Sequence, residues 1–349
     1  MGFTNFPNGL TSFGIPQYGN SGPIGIGTGN IYYLVTTKAS TDLYYQRLKE
    51  HGIPGSDIFT SIITAHAAMT ADQNDVLVVM PGLHTQTATC DWTKDHCHIV
   101  GLAGPNLHQR YGRPNCMVFT DTATVDYTIH LTGDFCQFSG FMIGNGHSAG
   151  AATAENLSAI GVAGYGNSFH TMGFQGVGSA TQAASNNCSS VEIMAGAGEL
   201  NFENCLIGGN TYLTTRSGTA SGHLRFTSTE AGLANGLFRN CLFLSRSAVD
   251  AVPMVFLYSQ SGLDRAWQFD RCHFDNYTPS WTGLPLENVF GLTTESPQTV
   301  NVTLKDCTAN GYQYWSNTNV GAGGALYLKG NMPAVAVLGG VCVDITGTS

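Results

Sequence analysis

The chain has 349 residues, of which 11% are charged, with 44 glycines, 12 prolines and a formal net charge of −9. That acidic balance, without a basic stripe, sets aside a nucleic-acid partner, which needs a concentrated positive footprint. No apolar run reaches the ~20 residues of a membrane-spanning helix, so no membrane partner is expected.

Residues 1–37 are predicted as an extended Gly/Pro-rich N-terminal arm. Phe3, Phe6, Phe13, Ile15 and Tyr18 are scattered along it without a period. Linkers are poor in such side chains, so these five are the candidate partner-binding residues, docking on another protein. A leader without fixed structure, or an arm packed back on the chain's own helix, are the alternatives. Residues 1–30 lack the basic and apolar regions of a secretory signal. Position 6 is Phe where a myristoylation motif wants Ser or Thr, so a soluble protein made in a cytoplasm is expected.

Residues 38–74 are predicted as a short helical cap. A helix at about Thr41–Glu50 precedes an amphipathic one over Ser56–Met69, with Ser56 as N-cap and Ile58, Phe59, Ile62, Ile63 and His66 on one face. A helix laid across the open end of a strand stack would cover its unpaired edges.

Residues 75–349 carry a repeat. Asp75–Met80 reads as the first strand, turned by Pro81-Gly82, and Cys97–Gly101 as the next. Beyond them Cys205, Cys241, Cys272, Cys307 and Cys342 recur at intervals of 31 to 36 residues, and Phe174 and Phe141 extend the column backwards. Leu131, Val162, Ile193, Phe226, Leu257, Leu292 and Leu328 form a second column. Each closes an alternating segment such as Val191-Glu-Ile193 or Leu224-Arg-Phe226. Alternation puts one residue inward and the next outward, and a fixed period of this length marks a stacked repeat. The all-β fold that satisfies both columns is a parallel β-helix, with loops such as Val177–Asn187 and Thr214–Ser221 bulging from its corners.

The cysteines are expected to be buried free thiols, small hydrophobes of the core. Cys90 and Cys97, near Asp91, His96 and His98, fit no standard zinc spacing, and no metal or cofactor is expected. Beside the cysteine column, Glu203, Arg239, Asp270 and Lys305 alternate in sign up the stack and are expected to face outward as a ladder. Asn204, Asn240, Arg271 and Asp306 follow them at a predicted turn.

The segment from the helix through Asp75-Val-Leu-Val-Val-Met-Pro-Gly-Leu-His to Ile99-Val-Gly-Leu-Ala-Gly resembles the start of right-handed β-helix proteins of the pectate-lyase-like superfamily. Together with the leader Phe6-Pro-Asn-Gly-Leu-Thr-Ser-Phe-Gly-Ile-Pro16, its Met-Pro-Gly segment resembles virion proteins of tailed phages. The first likeness implies a right-handed parallel β-helix. The second implies a structural component attached to a capsid or tail, often as a trimer, and carries over no functional residues.

Glu203 and Asp270, two coils apart, would lie ~9.6 Å from each other, near the spacing of inverting glycosidases. Arg239 stands between them and pairs with carboxylates, whereas a general acid must keep a proton. Asp264-Arg265 and Glu287 fall on predicted loops without a visible partner. The Asn-Thr-Asp, Asp-Asp, Gly-His-Gly and Arg-Ile-Lys motifs of polygalacturonase-like enzymes are absent; Gly146-His147-Ser148 is the nearest approach. Tyr312, Tyr314 and Trp315 could stack on a sugar or fill a corner.

Together with the likeness to tailed-phage virion proteins, the absence of a catalytic constellation leads to the expectation of a non-enzymatic phage virion protein, assembled in the host cytoplasm. Its arm would hold the major capsid protein or another virion protein as a decoration or cement, and a homo-oligomer is expected. The alternatives are a tail spike or fibre that binds or cleaves host surface polysaccharide, and a cellular carbohydrate enzyme.

Overall fold

The computed structural model describes residues 11–12, 15–16, 29–103, 116–122, 125–146, 157–176, 188–209, 221–227, 235–245, 254–257, 267–276, 286–292, 301–316, 325–329 and 341–344. The chain is a right-handed parallel β-helix with three walls. Among the described residues sheet 1 has eight strands, sheet 2 twelve and sheet 3 eight, and every pairing within them is parallel. A typical coil runs Tyr127–Leu131 in sheet 1, Gln137–Ser139 in sheet 2 and Met142–Asn145 in sheet 3.

Corners decide how this sequence closes each coil. Sheet 2 passes to sheet 3 through one residue in the left-handed region: Gly140, Thr171, Asn204, Asn240, Arg271 and Asp306, with φ between 52° and 74°. Asn tolerates that conformation and Gly meets no penalty there; the parallel ladder imposes it on Arg271 and Asp306. The predicted turn beside the cysteine column is this corner.

The interior is built from stacked columns. Phe138, Phe169, Phe202, Phe238 and Phe269 pair in register on sheet 2. Phe169–Phe202, Phe202–Phe238 and Phe238–Phe269 lie nearly parallel at 4.4, 4.6 and 4.9 Å. Each ring is almost wholly buried; such a side chain contributes roughly 1.5–3 kcal/mol by burial.

Cys205, Cys241, Cys272 and Cys307 each follow the left-handed residue and stand at one position of successive coils. They are free and buried. Their thiols donate to the carbonyls of Phe169, Phe202, Phe238 and Phe269 of the preceding coil, at 3.2–3.4 Å. Phe141 holds the equivalent position earlier in the stack, but Phe174 does not. Phe174 pairs with Ile143 and Ile207, one inward column further on, and Met172 takes the cysteine position. Cys342 pairs with Leu326 inside sheet 2, so it leaves this column. In the second column, Trp92, Leu131, Val162, Ile193, Phe226, Leu257 and Leu292 align on sheet 1, while Leu328 pairs with Leu304 on sheet 2.

The first coils differ from the sequence prediction. Ile31–Leu34 is already a strand of sheet 2, paired with Val76–Val79, so residues 31–37 do not belong to a free arm. Ser56–Met69 is not one helix. Gly55–Asp57 forms a single 3-10 turn, Ile58–Phe59 joins sheet 2 as its short edge, and α2 spans only Ile62–Ala68 behind Ser61. Pairing of Ile58 and Phe59 with Tyr33 and Leu34 overrides their local helical pattern.

Helix α2 puts Ile62 and Ala65 into the main core beside Leu34 and Trp92, and closes the end of the stack. Helix α1, Leu43–Glu50, starts at Asp42, whose carboxylate accepts from the amides of Tyr44 and Tyr45. It lies elsewhere: Leu48, Tyr44 and Tyr45 cover Val76, Val78 and Met80 on the outer face of sheet 2. The two helices therefore serve two surfaces, not one cap. No helix among the described residues is long and apolar enough to cross a membrane.

Candidate functional site

Sheet 2 presents the predicted charge ladder. Glu203 pairs in register with Arg239, Arg239 with Asp270, and Asp270 with Lys305. Asp270 contacts Arg239 Nε at 3.3 Å and Lys305 Nζ at 3.7 Å, and His170 Nδ1 lies 3.5 Å from Glu203. Both carboxylates that might have formed a glycosidase pair are thus held by basic neighbours. Glu287 lies within the strand Leu286–Leu292, not on a loop. Tyr312 and Trp315 are buried within the sheet 1 strand Tyr312–Ser316, where Trp315 meets Phe274 edge-on at 6.1 Å.

The outer face of sheet 1 carries a different row. The residue between two inward side chains of each strand must face out, and register aligns Asp91, His130, Gly161, Glu192 and Arg225. Glu192 is 1% exposed and Arg225 5%. Glu192 Oε2 accepts from Tyr127 Oη at 3.1 Å and Ser158 Oγ at 3.2 Å; Oε1 accepts from Thr227 Oγ1 at 2.6 Å. Arg225 Nη1 lies 3.9 Å from Oε2, and Ser158 shares a 2.6 Å hydrogen bond with Ser189. A buried carboxylate needs this many donors to offset its lost hydration.

Tyr127 links the buried part of the row to its open part. Gly161 has no side chain to obstruct it; a Cβ there would come within 2.7 Å of the Tyr127 ring. The ring stacks on His130 at 5.4 Å and 23°. His130 Nδ1 in turn contacts Asp91 Oδ1 at 3.2 Å, with Asp91 largely exposed and His130 partly so. A carboxylate on Nδ1 fixes the imidazole and leaves Nε2 to face an incoming group, the arrangement of an oriented general base. Glu192, satisfied by hydroxyl donors, acts as a fixed anion that positions Tyr127 and Arg225.

Two other constellations lack that access. Ser190 Oγ and His223 Nδ1 are 3.1 Å apart, and the Gly176 amide donates to Ser190 Oγ. Both side chains are buried, so this Ser–His pair belongs to the wall. Cys90 and Cys97 are buried thiols whose pKa values burial pushes up to about 12, and Cys97 donates to the Thr70 carbonyl. Among the described residues no cluster of His, Cys, Asp or Glu is arranged to hold a metal ion. Of the arm residues, Ile15 lies in a two-residue strand paired antiparallel with Thr11–Ser12; Phe3, Phe6, Phe13 and Tyr18 lie outside the described residues, as do Asp264, Arg265, His147 and Ser148.

The sheet 1 row was within reach of the sequence. Its members are the middle residues of the segments Ile129-His-Leu131, Val191-Glu-Ile193 and Leu224-Arg-Phe226. Alternation marks them as outward, but the contacts of Tyr127 and Ser158 with Glu192 span different coils and need the register.

No protein-family model matches the sequence, and no curated protein matches it. Solved structures do share the fold. A pectin methylesterase in complex with hexasaccharide VII aligns with a TM-score of 0.54 and 12% identity, over 90% of this chain and 93% of that one. Pectate lyase Pel9A aligns with a TM-score of 0.52 and 15% identity, over 92% and 80%. ORF18 of Geobacillus virus E2 aligns more loosely, with a TM-score of 0.48 and 12% identity, over 78% and 54%. The expectation of a protein without enzymatic activity is corrected by these likenesses. The architecture on which it rested is shared, nearly end to end, with pectin methylesterases and a pectate lyase, and fold alone does not make a scaffold inert.

Proposed function

We propose that this chain is a β-helix protein of a phage particle that engages a surface polysaccharide, binding or cleaving it, along the outer face of sheet 1. The observation that carries this is the row Asp91–His130–Gly161–Glu192–Arg225 with Tyr127 laid across it. An open, carboxylate-oriented imidazole sits beside an aromatic ring and a buried ion pair on one straight wall. A linear polymer can follow such a wall from coil to coil, at ~4.8 Å per coil. His130 Nε2 would accept a hydrogen bond from a glycan hydroxyl, Asp91 would hold the imidazole through Nδ1, and Tyr127, anchored by Glu192, would hold the plane of the imidazole.

The likeness of the leader to virion proteins of tailed phages supports the particle assignment, with another virion protein as the partner of the arm. Gly29 and Asn30 are already fixed to the stack: the Asn30 amide donates to Asp75 Oδ1, and a Cβ at Gly29 would collide with the Asn74 carbonyl. Deletion of residues 2–27 therefore removes the arm and keeps the contacts of Gly29 and Asn30.

The test incubates the full chain with purified capsular and O-antigen polysaccharides, following both retention and chain length. Retention or shortening that His130→Ala and Asp91→Asn reduce supports the proposal. Neither retention nor shortening on any of them sinks it. Particles that incorporate the arm-deleted protein at the wild-type level would sink the arm's part.

A further inference from the structure

Sheet 1 passes to sheet 2 through a second ladder of left-handed residues: His96, Phe135, Gly166 and Glu199, with φ of 52°, 54°, 69° and 50°. Their backbones interlock, the His96 amide donating to the Asp134 carbonyl, Phe135 to Tyr165, and Gly166 to Gly198. L side chains rarely adopt this conformation, and bulky ones least of all. Glycine satisfies it in the next coil. Phenylalanine at 135 is therefore a poor choice for the turn, and its ring is 47% exposed. Among the residues whose side chains are described, no other Phe, Tyr or Trp is as exposed.

The ring is nonetheless held from several sides. His96 stacks on it at 5.3 Å and 21°, and Tyr165 meets it edge-on at 6.1 Å. Gly166 forms its seat, since a Cβ there would come within 2.5 Å of Phe135 Cδ1. His96 is itself fixed by Asp72, 3.0 Å away. Exposed Asp72 and Glu199 stand on the same corner and make an acidic rim beside an apolar surface. A strained, exposed and immobilised aromatic points from geometry to a binding role.

We propose that the His96–Phe135–Tyr165 corner is a stacking subsite for an uncharged pyranose ring of the polysaccharide. The apolar C–H face of the sugar would lie on the aromatic surface, whose π face is negative. Its hydroxyls would donate to Asp72. The acidic rim disfavours an anionic sugar at this point. Phe135 follows His130 by five residues in one coil, so the subsite carries the sheet 1 row around its corner. The inference rests on the proposed engagement of polysaccharide.

Full-length Phe135→Gly and Phe135→Trp proteins should be compared with the wild type on an array of purified bacterial capsular and O-antigen polysaccharides, with thermal melting in parallel. F135G copies the residue of the next coil, so its melting temperature should hold or rise while retention falls tenfold or more; F135W should retain binding. Retention by F135G within twofold of wild type overturns the subsite and leaves the polysaccharide reading standing. A wild type that retains no glycan overturns both.

Discussion

Lys94 Nζ closes the C-terminus of helix α2, donating to the carbonyls of His66 at 2.8 Å and Ala67 at 2.9 Å and also to that of Met69. The lysine comes from the first sheet 1 to sheet 2 corner, so one side chain ties the cap to the stack. Lys94→Met keeps most of the stem and removes the donors. Hydrogen bonds to a charged group are worth about 1.5–3 kcal/mol. Amide exchange in residues 62–68 should accelerate by one to two orders of magnitude while the Phe column stays protected; unchanged exchange there would refute the tie.

Glu192 and Arg225 make the sharpest test of the sheet 1 row. Removing one member of a buried ion pair typically costs about 3–5 kcal/mol, because the other is left uncompensated. Glu192→Ala should lower the denaturation midpoint accordingly. Glu192→Gln, which keeps one acceptor oxygen for either Tyr127 or Thr227, should lose less. Equal effects of the two would mean that the lost charge accounts for the whole cost and the hydroxyl contacts for none of it.

Acid sensitivity should come from buried imidazoles. Burial, assisted by Lys94, lowers the His66 pKa to about 4; burial, assisted by His96, lowers that of His98 to about 4. The unfolded chain takes up these protons near pH 6.5 and the folded chain only near 4. Their stabilising contribution is therefore whole above about pH 6.5 and is lost as pH falls through 4, roughly 3 kcal/mol each. Chemical denaturation from pH 7.5 to 4 should show this slope, and His66→Phe, placed beside Trp92, should flatten part of it. An equally steep slope in His66→Phe would remove His66 from the account.

The cysteine column should be chemically silent in the native state. Burial raises the thiol pKa of Cys241 and, with the neighbouring thiol, that of Cys272, and the hydrogen bond with the Cys272 thiol, followed by burial, raises that of Cys307; the thiolate is the reactive form. A thiol reagent at pH 8 should label these positions only as fast as the stack opens, and quickly in denaturant. Rapid native labelling at Cys241 would contradict the column.

Much of the stack was legible in the sequence, and the losses have definite causes. A strand turns every second residue inward, so Met172 and Phe174 are equally good core positions, and spacing alone chose the wrong one. Cys342 and Leu328 fail differently. Near the end, Thr308–Asn310 passes to Tyr312–Ser316 through Gly311 alone. That coil lacks the long connection between sheets 3 and 1, so extrapolating the earlier interval lands inside sheet 2. The split of the helical region was hidden because Ile58 and Phe59 fit an amphipathic helix and are claimed by an edge pairing 25 residues away. In the row on sheet 1, alternation gave the outward positions, while the burial of Glu192 and Arg225 is a property of assembled coils.

Helix α2 sits at the end of the stack that leaves the ribosome first. Each later coil then meets a finished edge carrying an ordered strand, an aromatic ring and a carbonyl acceptor in register. Addition costs one loop closure at a time, and a nearest-neighbour stack can grow from a single seed. The fold thereby acquires a direction of assembly from its first to its last coil. A lesion near Trp92 or Ile62 should reduce the yield of folded chain more than an equally buried lesion near Trp315.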